Sequence, residues 1–375
     1  VLLDFGAARR ILPDRTYTVT AVLKPSYAPI EQYAETAHVR QGPWTDLYAL
    51  GATMYYLLTG RAPPPATTRA VHDDAEALTP QRCPGCSAGF LELLASEDAG
   101  GAGLPLADLF PILCSFGRYT VPVPVAQTIV ARALLGSQFA MPNGMITLAA
   151  ALRREASGAI VCSLTPYGRV ADFVLARDGD ALLLLPADAA RREATGVHGS
   201  LAASLRWPDE HVATRVPGAG PLLPAFAAAL HAALLSGAMT RVFEMTLQYC
   251  NDRIQFGKTL GKFQAVQHQL SVMAEHVAAA SMAAEAAFHT DAAAPSLLAA
   301  AMAKSRTSEA AVLVASIAHA LHGAIGVAEE YDLQLLTRRL HEWRLAHGSE
   351  AHWNVLIGNS VLASDTSIAD FVRSV

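Results

Sequence analysis

Arg253-Ile254-Gln255-Phe256-Gly257-Lys258-Thr259-Leu260-Gly261-Lys262-Phe263-Gln264 joins two long helical stretches, and its reading decides the fold. An arginine precedes a glycine-containing turn, and a helix begins just after it. Arginine offers planar, forked donors suited to a diphosphate. Glycine lets a backbone approach a ligand closely, and a helix N-terminus favours anions. The stretch therefore predicts a binding loop, not a plain connection. Around it the pattern predicts long helices over about residues 222–250, 262–288, 296–322 and 329–346. In the second, Phe263, Val266, Leu270, Met273 and Val277 recur at alternating spacings of three and four. That places them on one face, as in the core of a bundle.

The quoted run resembles the acyl-CoA dehydrogenase segment that reaches the FAD of a neighbouring subunit. By that resemblance Arg253, Gln255, Phe256, Leu260 and Gln264 contact the dinucleotide. His322-Gly323-Ala324-Ile325-Gly326-Val327-Ala328-Glu329-Glu330 resembles the family's second flavin-diphosphate turn, with Gly323 permitting close approach. The runs from Thr337 to Arg344 and from Gly348 to Trp353 are similar to a short, divergent branch. Upstream, Leu91-Glu92-Leu93-Leu94-Ala95-Ser96-Glu97-Asp98-Ala99-Gly100-Gly101-Ala102-Gly103-Leu104 resembles the glycine-rich turn of the family's N-terminal helical domain. Phe116-Gly117-Arg118 and Val121-Pro122-Val123-Pro124 continue that pattern. Residues 159–216 alternate apolar and polar, broken by Gly168, Asp178-Gly179 and Gly199, which reads as strands and hairpins. They match the family's middle β domain.

The family's reaction needs a base for the acidic α-proton and a flavin N5 to take the β-hydride. In most members the base is a glutamate immediately before a Gly-Thr/Ser pair. Here the pair is Gly348-Ser349 and the preceding residue is His347. A second family position for the glutamate falls near His231. A neutral histidine can act as a base near pH 7, and Glu350 is the nearest carboxylate, so the catalytic candidates are His347, His231 and Glu350. The divergent branch includes subunits that work beside a catalytic partner. The resemblance thus implies FAD, an acyl-CoA substrate of fatty acid or steroid side-chain degradation, and a homo- or hetero-oligomer sharing FAD across subunits. It implies an electron-transfer flavoprotein as acceptor.

The first residues read differently. Val1-Leu2-Leu3-Asp4-Phe5-Gly6 is followed by Tyr27-Ala28-Pro29-Ile30-Glu31-Gln32-Tyr33, then by Trp44-Thr45-Asp46-Leu47-Tyr48-Ala49-Leu50-Gly51-Ala52-Thr53. Over residues 1–69 this order resembles bacterial Ser/Thr protein kinases, from the metal-binding loop to the helix after the activation segment. By that resemblance Asp4 would hold magnesium, Glu31 would pair with a late arginine, and Asp46 would brace the catalytic loop. Thr16, Thr18 and Thr20 sit where activation loops are phosphorylated. The glycine-rich loop, strand lysine and His-Arg-Asp loop do not occur in the sequence, and phosphoryl transfer depends on them. ATP and magnesium are therefore expected only if another chain completes the site. Pro63-Pro64-Pro65 excludes regular structure, so residues 62–84 read as a linker.

Composition bounds the rest. The 375 residues are 52% hydrophobic and 16% charged, with net charge −5 and mean hydropathy +0.27. The acidic balance leaves no electrostatic footprint for nucleic acid. Residues 225–242 and 310–327 are rich in small apolar side chains but contain His231 and Arg241, and His319 and His322. Neither gives an uninterrupted apolar run of roughly 20 residues, so both read as buried helices and not membrane spans. No secretory signal is legible at Val1. Of the five cysteines only Cys83 and Cys86 are closely spaced, without a second metal-ligand pair, which fits reduced thiols in a cytoplasmic protein.

The expected fold is mainly α with a small β domain, acyl-CoA dehydrogenase-like, with truncated N-terminal helices, a middle β domain and a C-terminal four-helix bundle, preceded by a partial kinase C-lobe. The expected boundaries are 1–61 for the kinase C-lobe fragment and 62–84 for the linker. They continue with 85–150 for the N-terminal helical remnant, 151–220 for the β domain and 221–375 for the FAD-binding bundle. The alternatives to a flavoprotein are a kinase fragment or pseudokinase-type ATP-binding module, and a non-functional fusion product.

Overall fold

A computed structural model of the chain describes residues 101–373, apart from 137, 138, 140, 141, 196 and 210–212, with short pieces at 26–28, 52, 62–71 and 92–95. The chain divides into two units, Val1–Phe90 and Leu91–Val375. In the first, Pro63-Pro64-Pro65 is irregular and helix α1 (Ala66–Val71) starts directly after it. The expected linker thus contains a short helix, because proline is tolerated just ahead of one. Asp4, the candidate magnesium ligand, lies outside the described residues, as do Thr16, Thr18, Thr20, Glu31, Asp46, Cys83 and Cys86.

The second unit begins with helices α2 (Leu106–Arg118) and α3 (Val125–Leu135). Strands follow: β1 (Ile146–Leu148), β2 (Arg153–Arg154), β3 (Ile160–Thr165), β4 (Phe173–Asp178), β5 (Ala181–Pro186), β6 (Arg191–Ala194), β7 (Ala203–Trp207) and β8 (Thr214–Pro217). They form two four-stranded sheets, ordered β1-β4-β5-β8 and β2-β3-β7-β6. The first strand lies ahead of the expected start at 151, and it pairs parallel to β4, Ile146 opposite Phe173. Alternation explains why the two sheets and the helices form one unit. Leu182 and Leu184 of β5 pack into the helical core, while Leu183 and Leu185 pack between the sheets with Ile160, Leu205 and Trp207. A strand buried on both faces reads as a continuous apolar run. That is why Ala-Leu-Leu-Leu-Leu occurs in this otherwise alternating region. Asp178-Gly179 makes the β4–β5 hairpin as expected, with Gly179 at φ 62°.

The remaining helices are α4 (Leu223–Asp252), α5 (Gln264–Ala286), α6 (Leu297–His322), α7 (Leu333–Leu345), α8 (Glu350–Leu362) and α9 (Ile368–Arg373). The first four match the expected long helices within a few residues. Helix α4 is the central post: α2, α5, α6 and α7 all pack on it. Its crossing with α2 is very close. A Cβ on Gly237 would fall 1.9 Å from the Cys114 carbonyl oxygen, and one on Gly117 would fall 2.0 Å from that of Leu234. Only glycine at both positions lets the two backbones touch. On α5, Leu270, Met273 and Val277 are buried, as their spacing predicted.

By length and composition alone, the helical segments Gly220–Asp252 and Leu297–Val327 are apolar enough to cross a bilayer. Single histidines barely lower the mean of an alanine-rich stretch, so composition alone does not separate a core helix from a span. Burial separates the two segments: 89% of the first one's apolar stretch is inside the fold, against 39% of the second's.

Candidate active site and flavin arm

His231 sits in the buried first half of α4, and His347 in the turn between α7 and α8. The fold brings these two sequence-distant histidines together, with ring centroids 4.8 Å apart and planes at 45°. His347 takes φ 55° and Gly348 φ 98°, left-handed geometry that costs a bulky side chain of order 1–3 kcal/mol. At Gly348 a Cβ would fall 2.6 Å from His352 Cδ2, so this turn requires glycine. His231 Nδ1 lies 2.8 Å from the Ala227 carbonyl oxygen. It therefore carries the proton and donates, leaving Nε2 as a bare acceptor. His347 bonds the Leu148 backbone at the end of β1, and its Nε2, like that of His231, is buried without a partner.

Burial, then the charge of neighbouring Lys304, pushes the His347 imidazolium down to about 3, against the opposing effect of the Leu148 bond. Burial, His347 and Lys304 hold His231 well below its usual range. Both rings are neutral throughout the physiological range. Glu350 does not join them. Its carboxylate accepts from Arg344 Nε at 3.0 Å and from Arg344 Nη2, closing a two-point ion pair. Burial raises the Glu350 pKa, but the Arg344 hydrogen bond, its own backbone amide and the Arg344 and Lys304 charges together leave it lowered.

Sequence reading missed Lys304. Its side chain is fully buried in α6, and burial, opposed by Glu350 and reinforced by Arg344, brings its pKa down to about 7. The signal was available, since a lysine within the apolar run Ala-Ala-Ala-Met-Ala-Lys-Ser must either disrupt the core or be fully paired.

The quoted run forms a small arm. Strands β9 (Ile254–Gln255) and β10 (Lys258–Thr259) pair antiparallel around Phe256-Gly257. Both turn residues have positive φ, 52° and 79°, as a two-residue hairpin turn demands. Phe256 is 91% exposed and meets Phe263 edge-on at 6.3 Å, while Lys258 Nζ stands 4.2 Å from the Phe263 ring centre. The Arg253 side chain is exposed and engages no partner among the described residues. Leu260 opens a short turn, and Gln264 is the first residue of α5.

Gly323 caps α6 at φ 65°, and a Cβ there would meet nothing within 4 Å. Tyr249, in the last turn of α4, stacks on the His322 ring at 4.4 Å and donates to the His322 carbonyl at 3.3 Å. This contact carries Gly323 and Arg253 to the same end of the bundle. An uncommitted guanidinium, an exposed aromatic ring, a helix start and an open glycine there suit the phosphates and rings of a dinucleotide. On those donors the residues fit FAD. Among the described residues no group of three or more His, Cys, Asp or Glu is placed to hold a metal.

The family described as acyl-CoA dehydrogenase, C-terminal domain, matches residues 225–361. The acyl-CoA dehydrogenase IpdE2 of Mycolicibacterium smegmatis is 34% identical over 265 residues, covering 68% of this chain and 78% of that protein. Its namesake in Mycobacterium tuberculosis is 31% identical over 298 residues, covering 78% of this chain and 90% of that protein. Among solved structures, the ChsE4-ChsE5 complex of Mycobacterium tuberculosis aligns with TM-score 0.66 at 20% identity, over 87% of this chain and 99% of that one. The Tcur3481-Tcur3483 steroid ACAD G363A variant aligns with TM-score 0.63 at 27% identity, over 73% and 86%. The chain belongs to the acyl-CoA dehydrogenase family. It is an acyl-CoA dehydrogenase-like flavoprotein, with the helical majority and small β region of that fold.

Proposed function

We propose that this chain is a flavin-carrying subunit that does not itself abstract the substrate's α-proton, and that it works beside a chain supplying the base. One observation carries the reading: His347, just before the Gly348-Ser349 pair, and His231, near the family's second glutamate position by resemblance, are buried and neutral, and the nearby Glu350 is locked to Arg344. A base whose conjugate acid has a pKa of about 3 is far from the near-neutral value that suits proton transfer at physiological pH.

When bound, FAD would supply the hydride acceptor. The residues we assign to hold it are Arg253 and Gln255 as donors to its polar groups, Phe256 and Leu260 as apolar contacts, Gln264 at the start of α5, and Gly323 as the point of close approach. His231 and Arg253 stand about 33 Å apart along α4, at roughly 1.5 Å per residue. One chain's arm thus stands far from its own histidine pair, which supports FAD shared across a subunit interface. The half-exposed apolar window of α6 supports the same assembly. We assign residues 221–375 as the FAD-binding bundle. The substrate we infer is an acyl-CoA thioester, with a steroid side chain favoured by the similarity to a steroid ACAD. An electron-transfer flavoprotein is the acceptor we assign.

Anaerobic mixing of the flavin-loaded protein with saturated acyl-CoA thioesters tests this. The flavin should stay oxidised. Bleaching that disappears in His347→Ala would move the base into this chain and overturn the proposal.

A further inference from the structure

We propose that Lys304 is the positioning residue of the histidine pair, clamping the α7–α8 turn onto α6 so that His347 faces His231. The inference rests on geometry and stands whether or not the pair does chemistry. Lys304 Nζ donates to Ser308 Oγ at 2.8 Å, to the Arg344 carbonyl at 2.8 Å and to the Gly348 carbonyl at 3.0 Å. An ammonium has three donors, and all three are used, so none is left for a ligand. Arg344 and Gly348 bracket His347, so two of the three bonds fix both ends of the five-residue segment that carries it. The Arg344 carbonyl belongs to the last turn of α7, where a cation is favoured by the exposed carbonyls.

The clamp also accounts for an otherwise costly arrangement. A lysine with no solvent exposure is tolerated only when its donors are satisfied. The left-handed geometry at His347 and Gly348 persists only where surroundings over-determine it. Each explains the other: the turn supplies two carbonyls that the lysine needs, and the lysine holds the turn in its strained form. The charged and titratable groups around Lys304 are Glu350 and Arg344 from the turn's far side, and His231 and His347.

Imidazole nitrogen NMR of the full chain tests the role directly, with His322 as an internal control because it is held separately by Tyr249 and Tyr331. In Lys304→Met the His347 signals should leave their wild-type tautomer, and its titration should rise by about one to three pH units as the ring gains solvent and loses the cation. The His322 signals should stay in place. A folded variant with His347 unmoved would overturn the proposal. Ser308→Ala spares both Lys304–carbonyl bonds and removes the lysine's third acceptor together with the longer Ser308 Oγ bond to the Arg344 carbonyl at 3.4 Å, so it should shift His347 far less than Lys304→Met; a shift as large as that of Lys304→Met would refute the carbonyl clamp. The wild-type protein gives a check that needs no variant. The sequence has four lysines, and one ammonium should exchange with solvent far more slowly than the others at pH 5–6. Four fast-exchanging ammonium groups would contradict the clamp outright.

Discussion

His231 and His347 make the stability of this protein depend on pH in a direction that can be worked out. In the unfolded chain histidines take up protons below about pH 6.5. The native His347 refuses them until about 3, and His231 is lowered in the same sense. Between those values the unfolded state binds more protons, so stability falls as pH falls through that window. Lys304 acts at higher pH. Its folded value of about 7 lies below an unfolded value of about 10.4, so its contribution to stability rises with pH between them. Thermal melts of His231→Leu should therefore lose less stability than wild type between pH 6.5 and 5. An unchanged acid slope would remove His231 from the set of buried neutral groups. The sequence singled out both histidines by resemblance alone, His347 before the Gly348-Ser349 pair and His231 near the family's second glutamate position. Their meeting was not, because nothing in a sequence reports that a mid-helix residue of α4 will face a turn more than a hundred residues later. Their desolvation, which decides what they can do, follows only from that meeting.

Among the elements, α4 and its neighbours were the most legible, because period and composition agree over whole turns. Helix α8 was missed: its buried side is little more than Trp353, so it lacks an apolar stripe to read. The arm was read from the sequence as a binding loop, but its hairpin form depends on Phe256 accepting a positive φ, which a bulky residue seldom does. The contact of α2 with α4 tests the packing. Gly237→Ala would place a methyl against the Cys114 backbone and should cost roughly 3 kcal/mol by overpacking, read as a lower denaturant midpoint. A neutral result would mean the helices are not this close. The arm tests the flavin assignment. Arg253→Ala should weaken FAD retention about 10- to 100-fold, the scale of one charge-assisted hydrogen bond, measured by flavin absorbance after gel filtration. Retention equal to wild type would remove Arg253 from the site.

At the scale of the whole molecule, the helices over residues 106–135 and 223–362 and two small sheets over 146–217 belong to one folding unit, and the family model's match at residues 225–361 lies within it. The overall class, mainly α with a β middle, was readable from alternation giving way to helical period. The start of the β domain was not, since β1 is only three residues and earns its place by pairing with β4. The central claim is that this flavoprotein lacks a working base of its own. The most direct test needs neither a hydride step nor an electron acceptor: acyl-CoA thioesters are incubated with the purified, flavin-loaded chain in D2O, and deuterium at the α-carbon is followed by mass spectrometry. The account predicts no exchange above the solvent rate for the wild type, and exchange appearing in His347→Glu, which puts a carboxylate just before the Gly348-Ser349 pair. Wild-type exchange that vanishes in His347→Ala would contradict it.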